Sequence, residues 1–115
     1  MYYNLEFCQL RFVSTKVCVV AVKAGHHVTL AHARQLLQWF ESRQQRGLFI
    51  IIDRSASYTY DPNALNSLLQ SRLFACVCVV ASNVAQRRLA LYESILNENQ
   101  VKIFPSVSAA LLYCH

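Results

Sequence analysis

The chain has 115 residues, of which 55% are hydrophobic and 15% are charged, and this composition excludes disordered and low-complexity proteins. Its length fits a single domain, residues 1–115, that can bury a core without disulfides or metal ions. The 11 lysine and arginine residues outnumber the 6 acidic residues and give a formal charge of +5. Because these basic residues form no run, we do not expect a nucleic-acid partner.

The first predicted elements are two strands and a helix. Residues 3–13 alternate in polarity and predict a peripheral strand, and the almost wholly apolar run at 16–22 predicts a more central strand in an antiparallel hairpin with it. Thr29 is a candidate N-cap. Apolar residues at helical spacing then predict a helix from Leu30 to about Gln45, which Gly47 ends.

The remaining elements alternate between strand and helix. Continuous apolar runs predict interior strands, and helical spacing after a polar cap predicts each helix. We assign strands at 48–53, 75–82 and 101–104, and helices that begin at Asp61, at 82–83 and at Ser106. This β-β-α-β-α-β-α-β-α order predicts an α/β fold with a mixed, mostly parallel sheet of about five strands and about four helices.

The five cysteines lie mostly within apolar segments and include no CxxC pair. Their odd number and placement predict reduced, buried thiols in a cytoplasmic protein. No pair of ligands follows Cys76 and Cys78 at zinc-site spacing, so we expect neither a metal ion nor another cofactor. The amino terminus lacks the features of a signal peptide, and no segment approaches the length of a membrane span.

The stretch IIIDRSASYTYDPNALNSLL, residues 50–69, joins a buried strand to a capped helix. Ligand-binding and partner-binding sites are common at such strand ends. It resembles the signature of the STAS domain, the SpoIIAA-like anti-sigma-factor-antagonist family. Asp53 matches the Asp that ends the strand, Ser55 the Ser that follows it, and Asp61 the Asp that caps the helix. The carboxyl-terminal half resembles small bacterial STAS/SEC14-type proteins. The resemblance implies a SpoIIAA-like fold and a regulatory role without catalysis.

The same stretch departs from the family at the regulated position. In phosphorylated members a Ser of the helix start accepts phosphate, and the matching residue here is Asn63, which has no hydroxyl. Pro62 replaces the preceding Ser, although Pro at the first helical position after an Asp cap is also ordinary helix chemistry. We therefore expect no phosphorylation switch at Asn63.

Two binding functions agree with these residues. The first is a protein-interaction module whose contact surface includes the loop 54–60 and the helix start. The second is a carrier of a small ligand or lipid, which would require a pocket beside the strand ends. Candidate contact residues at this edge are Asp53, Ser55, Tyr58, Tyr60, Asp61, Asn63 and Ser82. Trp39, Arg43, Arg87 and Arg88 are candidates for a further interface, and a homodimer is an alternative assembly.

Two catalytic classes fit less well. A hydrolase built from Ser55, Asp53 and a histidine lacks a G-x-S-x-G elbow. A phosphate-accepting receiver would need an acidic pair after an early strand and a lysine after the last strand, where this chain has KAGHH and Phe104-Pro105. We therefore expect a protein that is not an enzyme.

Overall fold

The computed structural model describes residues 2–54, 59–71, 73–81, 83–85, 88, 90 and 101–114. The strands are β1 (Tyr2–Asn4), β2 (Cys8–Phe12), β3 (Val17–Val22), β4 (His27–Val28), β5 (Leu48–Asp53), β6 (Thr59–Tyr60), β7 (Phe74–Val80) and β8 (Val101–Phe104). The helices with described bounds are α1 (Leu30–Ser42), α2 (Pro62–Gln70) and α3 (Val107–Tyr113). Val84, Ala85, Arg88 and Ala90 are also helical, where the sequence predicts a further helix whose other residues lie outside this description.

The main sheet has six strands in the order β1-β2-β3-β5-β7-β8. The pairs β1–β2 and β2–β3 are antiparallel, whereas β3–β5, β5–β7 and β7–β8 are parallel. This architecture confirms the predicted α/β class with a mixed, mostly parallel sheet. None of the helices with described bounds has both the length and the apolar character that a bilayer crossing requires.

The amino-terminal segment differs from its prediction, because residues 3–13 do not form one strand. The backbone N–H of Leu5 donates to the carbonyl of Cys8 at 2.8 Å, and the chain reverses there into a hairpin of β1 and β2. Phe7 and Cys8 are both buried, at 2% and 0% exposure. Two consecutive buried side chains break a period of two, so the alternation cannot continue through this point. The sheet consequently has six strands and not about five.

The end of α1 also differs from its prediction. The helix ends at Ser42, not near Gln45, and Gln44 takes a left-handed conformation with a φ of 54°. The N–H of Gln45 then donates to the carbonyl of Phe40 at 3.2 Å, and that of Gln44 to Glu41 at 2.9 Å. These two bonds form a Schellman ending, which glycine usually provides. Gly47 has a φ of 68° and lies beyond the helix, directly before β5.

All three predicted caps with described helix bounds are confirmed. The Thr29 hydroxyl accepts from His32 N–H at 3.3 Å, and His32 Nδ1 accepts from Thr29 N–H at 3.1 Å, so a histidine takes the usual place of Glu or Gln in a capping box. The Asp61 carboxylate accepts from Asn63 N–H at 2.9 Å. The Ser106 hydroxyl accepts from Ala109 N–H at 3.1 Å.

The central strand β5 is packed on both sides, as its continuous apolar run predicts. We call the side that carries Ile50 and packs against α1 and α2 the two-helix face, and the side that carries Ile51 and packs against α3 the one-helix face. Ile50 and Ile51 are both fully buried. The sheet is therefore an interior layer, and its polar side chains reach the surface mainly at the ends of the strands.

Candidate functional site

The candidate site lies at the carboxyl end of β5. Asp53, the last residue of this strand, is half-buried and pairs in register with Ala21 of β3 and Val80 of β7. Partners in register share a face of a parallel sheet, so Asp53 lies on the one-helix face with Val80. The next residue, Arg54, leaves the strand, and its N–H donates to the carbonyl of Val80 at 3.1 Å.

A second, two-stranded parallel sheet crosses this end of the molecule. It pairs β4 with β6, so that His27 lies opposite Thr59 and Val28 opposite Tyr60. The N–H of Asp61 extends the connection by donating to the carbonyl of Val28 at 2.8 Å. The sequence predicts loops at both segments. This small sheet ties the start of α1 to the start of α2 and brings Tyr60 and Asp61 to the candidate site.

The predicted contact residues in this part of the chain have distinct environments. Asn63 is exposed at the second position of α2, and Asp61 is half-buried because it caps the same helix. Tyr60 is also half-buried, and its ring lies 4.8 Å from the Arg54 guanidinium carbon. The structure therefore brings Tyr60, Asp61 and Asn63 together, but only Asn63 of the three is exposed.

Arg54 lies at the start of the predicted contact loop 54–60, but the sequence does not predict its burial. Its side chain is buried, with 6% exposure, and Nη1 donates to the Tyr60 hydroxyl oxygen at 3.3 Å. Arginine is rarely buried without a structural or functional reason, because removing a charge from water is costly. The sequence feature that could have indicated this burial is the position of Arg54 directly after a continuous apolar strand.

Beneath the small sheet lies a partly enclosed apolar cavity of about 60 Å³. Its walls come from the two-helix face of the main sheet, from α1 and α2, and from β4 and β6. Among the described residues that form its walls, Arg54 carries the one charge. The lining residues are Phe7, Val20, Val22, Val28, Ala33, Leu36, Ile52, Arg54, Tyr60, Ala64, Leu65, Leu68 and Val79.

Several predicted residues are not part of this assembly. Trp39 packs at the margin of the core against Tyr3, Phe12 and Phe40, and the Arg43 guanidinium carbon lies 4.4 Å from the Tyr3 ring and 4.5 Å from the Trp39 ring. Trp39 also borders an open groove beside α1. Arg88 is exposed on a helical turn. The predictions for Ser55, Tyr58, Ser82 and Arg87 fall outside the described residues.

The cysteines occupy apolar surroundings on both faces of the sheet. All five are free thiols, and burial raises the pKa of Cys8 and of Cys18 to about 12. On the one-helix face, the sulfur of Cys78 lies 3.8 Å from that of Cys76 and 3.8 Å from that of Cys114. Burial also raises the pKa of Cys78 and of Cys114. Thiols with raised pKa values are weak nucleophiles near neutral pH.

The described residues hold no group of three or more histidine, cysteine, aspartate or glutamate side chains suited to a metal ion. His32 is engaged in the cap of α1, and its ring stacks on Phe7 with 4.6 Å between centroids. What this end of the molecule provides is an exposed helix start, an apolar cavity and a buried guanidinium at the cavity wall. These features suit binding through shape and apolar contact.

Comparison with known proteins identifies the architecture. No protein family matches the chain by sequence, and no curated protein matches it. The fold is similar to that of an uncharacterized protein of the DUF3478 family from Shewanella loihica PV-4, described as having a SpoIIAA-like fold, with a TM-score of 0.62, 18% identity and 98% of each chain covered. The chain therefore has a SpoIIAA-like fold.

Proposed function

We propose that this protein is a non-catalytic regulatory module that binds a protein partner through the amino end of α2. The observation that carries the proposal is the exposed Asn63 at the second position of this helix. In the phosphorylated STAS proteins that the sequence resembles, serine stands at this position. An amide retains hydrogen-bonding capacity but accepts no phosphate, so the partner would be bound without a phosphorylation switch.

The backbone around Asn63 is held in place before any partner arrives. Asp61 caps the helix through the N–H of Asn63, and the pairing of β4 with β6 secures the segment that leads into it. Tyr60 packs against the buried Arg54. A surface that is already ordered loses less conformational entropy on association, which supports a binding role for this end of the molecule.

The environments of three buried thiols and of His32, among the described residues, support a non-catalytic role. The raised pKa values of Cys8, Cys18 and Cys78 keep these thiols protonated near neutral pH. The Nδ1 atom of His32 is committed to the helix cap. Thiols and imidazoles in such settings are poorly suited to nucleophilic or general-base chemistry.

The test is quantitative affinity capture from native cell extract with matched baits. Asn63→Arg places a bulky cation on the proposed surface, whereas Asn66→Arg makes the same change at another exposed position of α2. A partner of this surface should be captured by the wild type and by Asn66→Arg, and lost about tenfold or more with Asn63→Arg, as expected for a central interface residue.

Thermal unfolding of both variants controls for the fold, since a cation in the first helical turn costs only about 0.3–1 kcal/mol. If every captured protein binds Asn63→Arg as well as it binds the wild type, the proposed surface is wrong. Capture that depends instead on Trp39 or Arg43 would move the interface to the aromatic cluster beside α1.

A second candidate function, a small-ligand carrier, is favoured by the apolar cavity under the small sheet. The volume of about 60 Å³ limits what it holds, since it is less than half of the roughly 150 Å³ of a cavity known to bind benzene. A lipid chain exceeds this space. The carrier function therefore applies to a small molecule and not to a lipid.

A further inference from the structure

We propose that the cavity under the small sheet binds a neutral, apolar molecule of about three carbon atoms, a short hydrocarbon. This inference rests on the carrier function and names its ligand class. Three features of the cavity support it: the apolar surface of its wall, the engagement of the two polar residues in that wall, and the small volume.

Apolar side chains from the sheet and from α2 form much of the cavity wall. Val20, Ile52 and Val79 lie side by side in register on β3, β5 and β7, and Leu65 and Leu68 approach from α2. The surface that the wall presents to the cavity is almost wholly apolar. A hydrocarbon in this space leaves water and gains dispersion contacts with these side chains.

The two polar residues of the wall are engaged with each other and with further partners. Arg54 Nη1 donates to the Tyr60 hydroxyl oxygen at 3.3 Å, the guanidinium carbon lies 4.8 Å from the Tyr60 ring, and both residues make additional interactions. A polar ligand would therefore give up hydrogen bonds to water without gaining equivalent bonds from the wall. Water itself needs about two to four polar partners in a buried site, so it competes poorly with an apolar molecule here.

The volume sets the size of the ligand. A cavity of about 150 Å³ is known to bind benzene, which has six carbon atoms. By proportion, a space of about 60 Å³ accepts about two or three carbon atoms. Propane meets this limit, whereas a larger hydrocarbon would have to displace close-packed side chains.

The test is a titration of the full chain with propane dissolved under pressure, followed by the methyl resonances of Leu65 and Leu68, which line the cavity. The methyl resonances of Ile51, on the one-helix face, serve as the reference. Ethanol is the matched comparison, since it has a hydroxyl group in place of one methyl group of propane. We expect saturable propane shifts at Leu65 and Leu68 only, with a Kd of about 1 mM, and binding at least about tenfold weaker for ethanol.

Three variants locate the bound molecule. Val79→Ile and Ala33→Val each enlarge a residue of the wall, one from the sheet and one from α1, and each should weaken propane binding at least about tenfold because the added carbon atoms take up the space. Val80→Ile repeats the first change on the opposite face of β7 and should leave the affinity unchanged. Ala33→Val keeps the site testable if Val79→Ile does not fold.

The outcomes separate the ligand class from the carrier function. If ethanol binds as tightly as propane, a small-molecule carrier remains and the apolar class is overturned. If neither molecule shifts Leu65 or Leu68, both the apolar class and the carrier function fail, while the partner surface around Asn63 is tested separately by affinity capture. Propane binding that is unchanged in both Val79→Ile and Ala33→Val would overturn the assignment to this cavity.

Discussion

The two faces of the central sheet are packed to different degrees. On the one-helix face, Ile51 and Val80 are buried against α3 in a cluster that includes Cys78 and Cys114. On the two-helix face, Ile52 and Val79 border a cavity of about 60 Å³. Well-packed interiors contain few voids larger than a water molecule, so the two-helix face is less completely filled beside this cavity than the one-helix face is around Ile51.

The largest effect expected from this contrast is on the free energy of unfolding after truncation of adjacent β5 residues. Ile51→Ala removes a fully buried side chain and should cost about 3–5 kcal/mol. Ile52→Ala removes a half-buried side chain that has fewer packing contacts to lose because it borders the cavity, and it should cost about 1–3 kcal/mol. Urea denaturation of both variants measures the difference. Equal losses would mean that the two faces are equally well packed.

A smaller effect of opposite sign is expected from enlarging adjacent β7 residues. Val79→Ile adds a methylene beside the cavity and should raise the free energy of unfolding by about 0.5–1 kcal/mol. Val80→Ile adds the same group to the filled face and should lower it by about 1–3 kcal/mol. The pair is compared by chemical denaturation, and a destabilised Val79→Ile would show that the cavity cannot accept an added group.

A pH-dependent effect, which is small at pH 9 and grows as the pH rises, tests whether the two-helix face is dry in spite of its cavity. Burial raises the pKa of Cys18 on this face from 9.0 to about 12. Between these values the unfolded thiol loses its proton and the folded thiol keeps it, so the free energy of unfolding falls as the pH rises, by about 1.4 kcal/mol per pH unit for each such thiol.

The measurement is urea denaturation of the wild type and of Cys18→Ala at pH 9, 10 and 11. The variant should show a fall that is shallower by about 1.4 kcal/mol per pH unit, since one titrating thiol is absent. Parallel curves for the two proteins would indicate that water reaches Cys18, and the contrast between the faces would then lie in hydration as well as packing.

Local signals in the sequence predict most of the fold. The strands β3, β5 and β7 are continuous apolar runs, and Thr29, Asp61 and Ser106 are recognisable caps because each places a side-chain oxygen before a helical pattern. The hairpin of β1 and β2 is not predicted, because it depends on a break at Phe7 in the alternation of buried and exposed side chains. The end of α1 is not predicted correctly, because Gln44 has the left-handed backbone conformation that glycine usually provides at the end of a helix.

The sequence predicts the helix cap at the candidate site, but it does not predict the local structure around that cap. Asp61 caps α2 as the helix-start pattern predicts, and Asn63 is exposed at the second position of the helix. The pairing of β4 with β6 is not predicted, because two strands of two residues carry no period and meet only through tertiary structure. The burial of Arg54 is missed for a related reason, since a charged residue after a strand ordinarily faces water.

The short outer strands of the main sheet affect how the protein behaves at high concentration. In the described sheet, β1 has three residues and β8 has four, and Pro105 follows β8 directly. A short edge offers few backbone groups to a strand from another molecule, and proline supplies no N–H for continued pairing. The inner strands of the sheet are strongly apolar, but its short outer strands offer few backbone groups on which another strand could pair to form a β-aggregate.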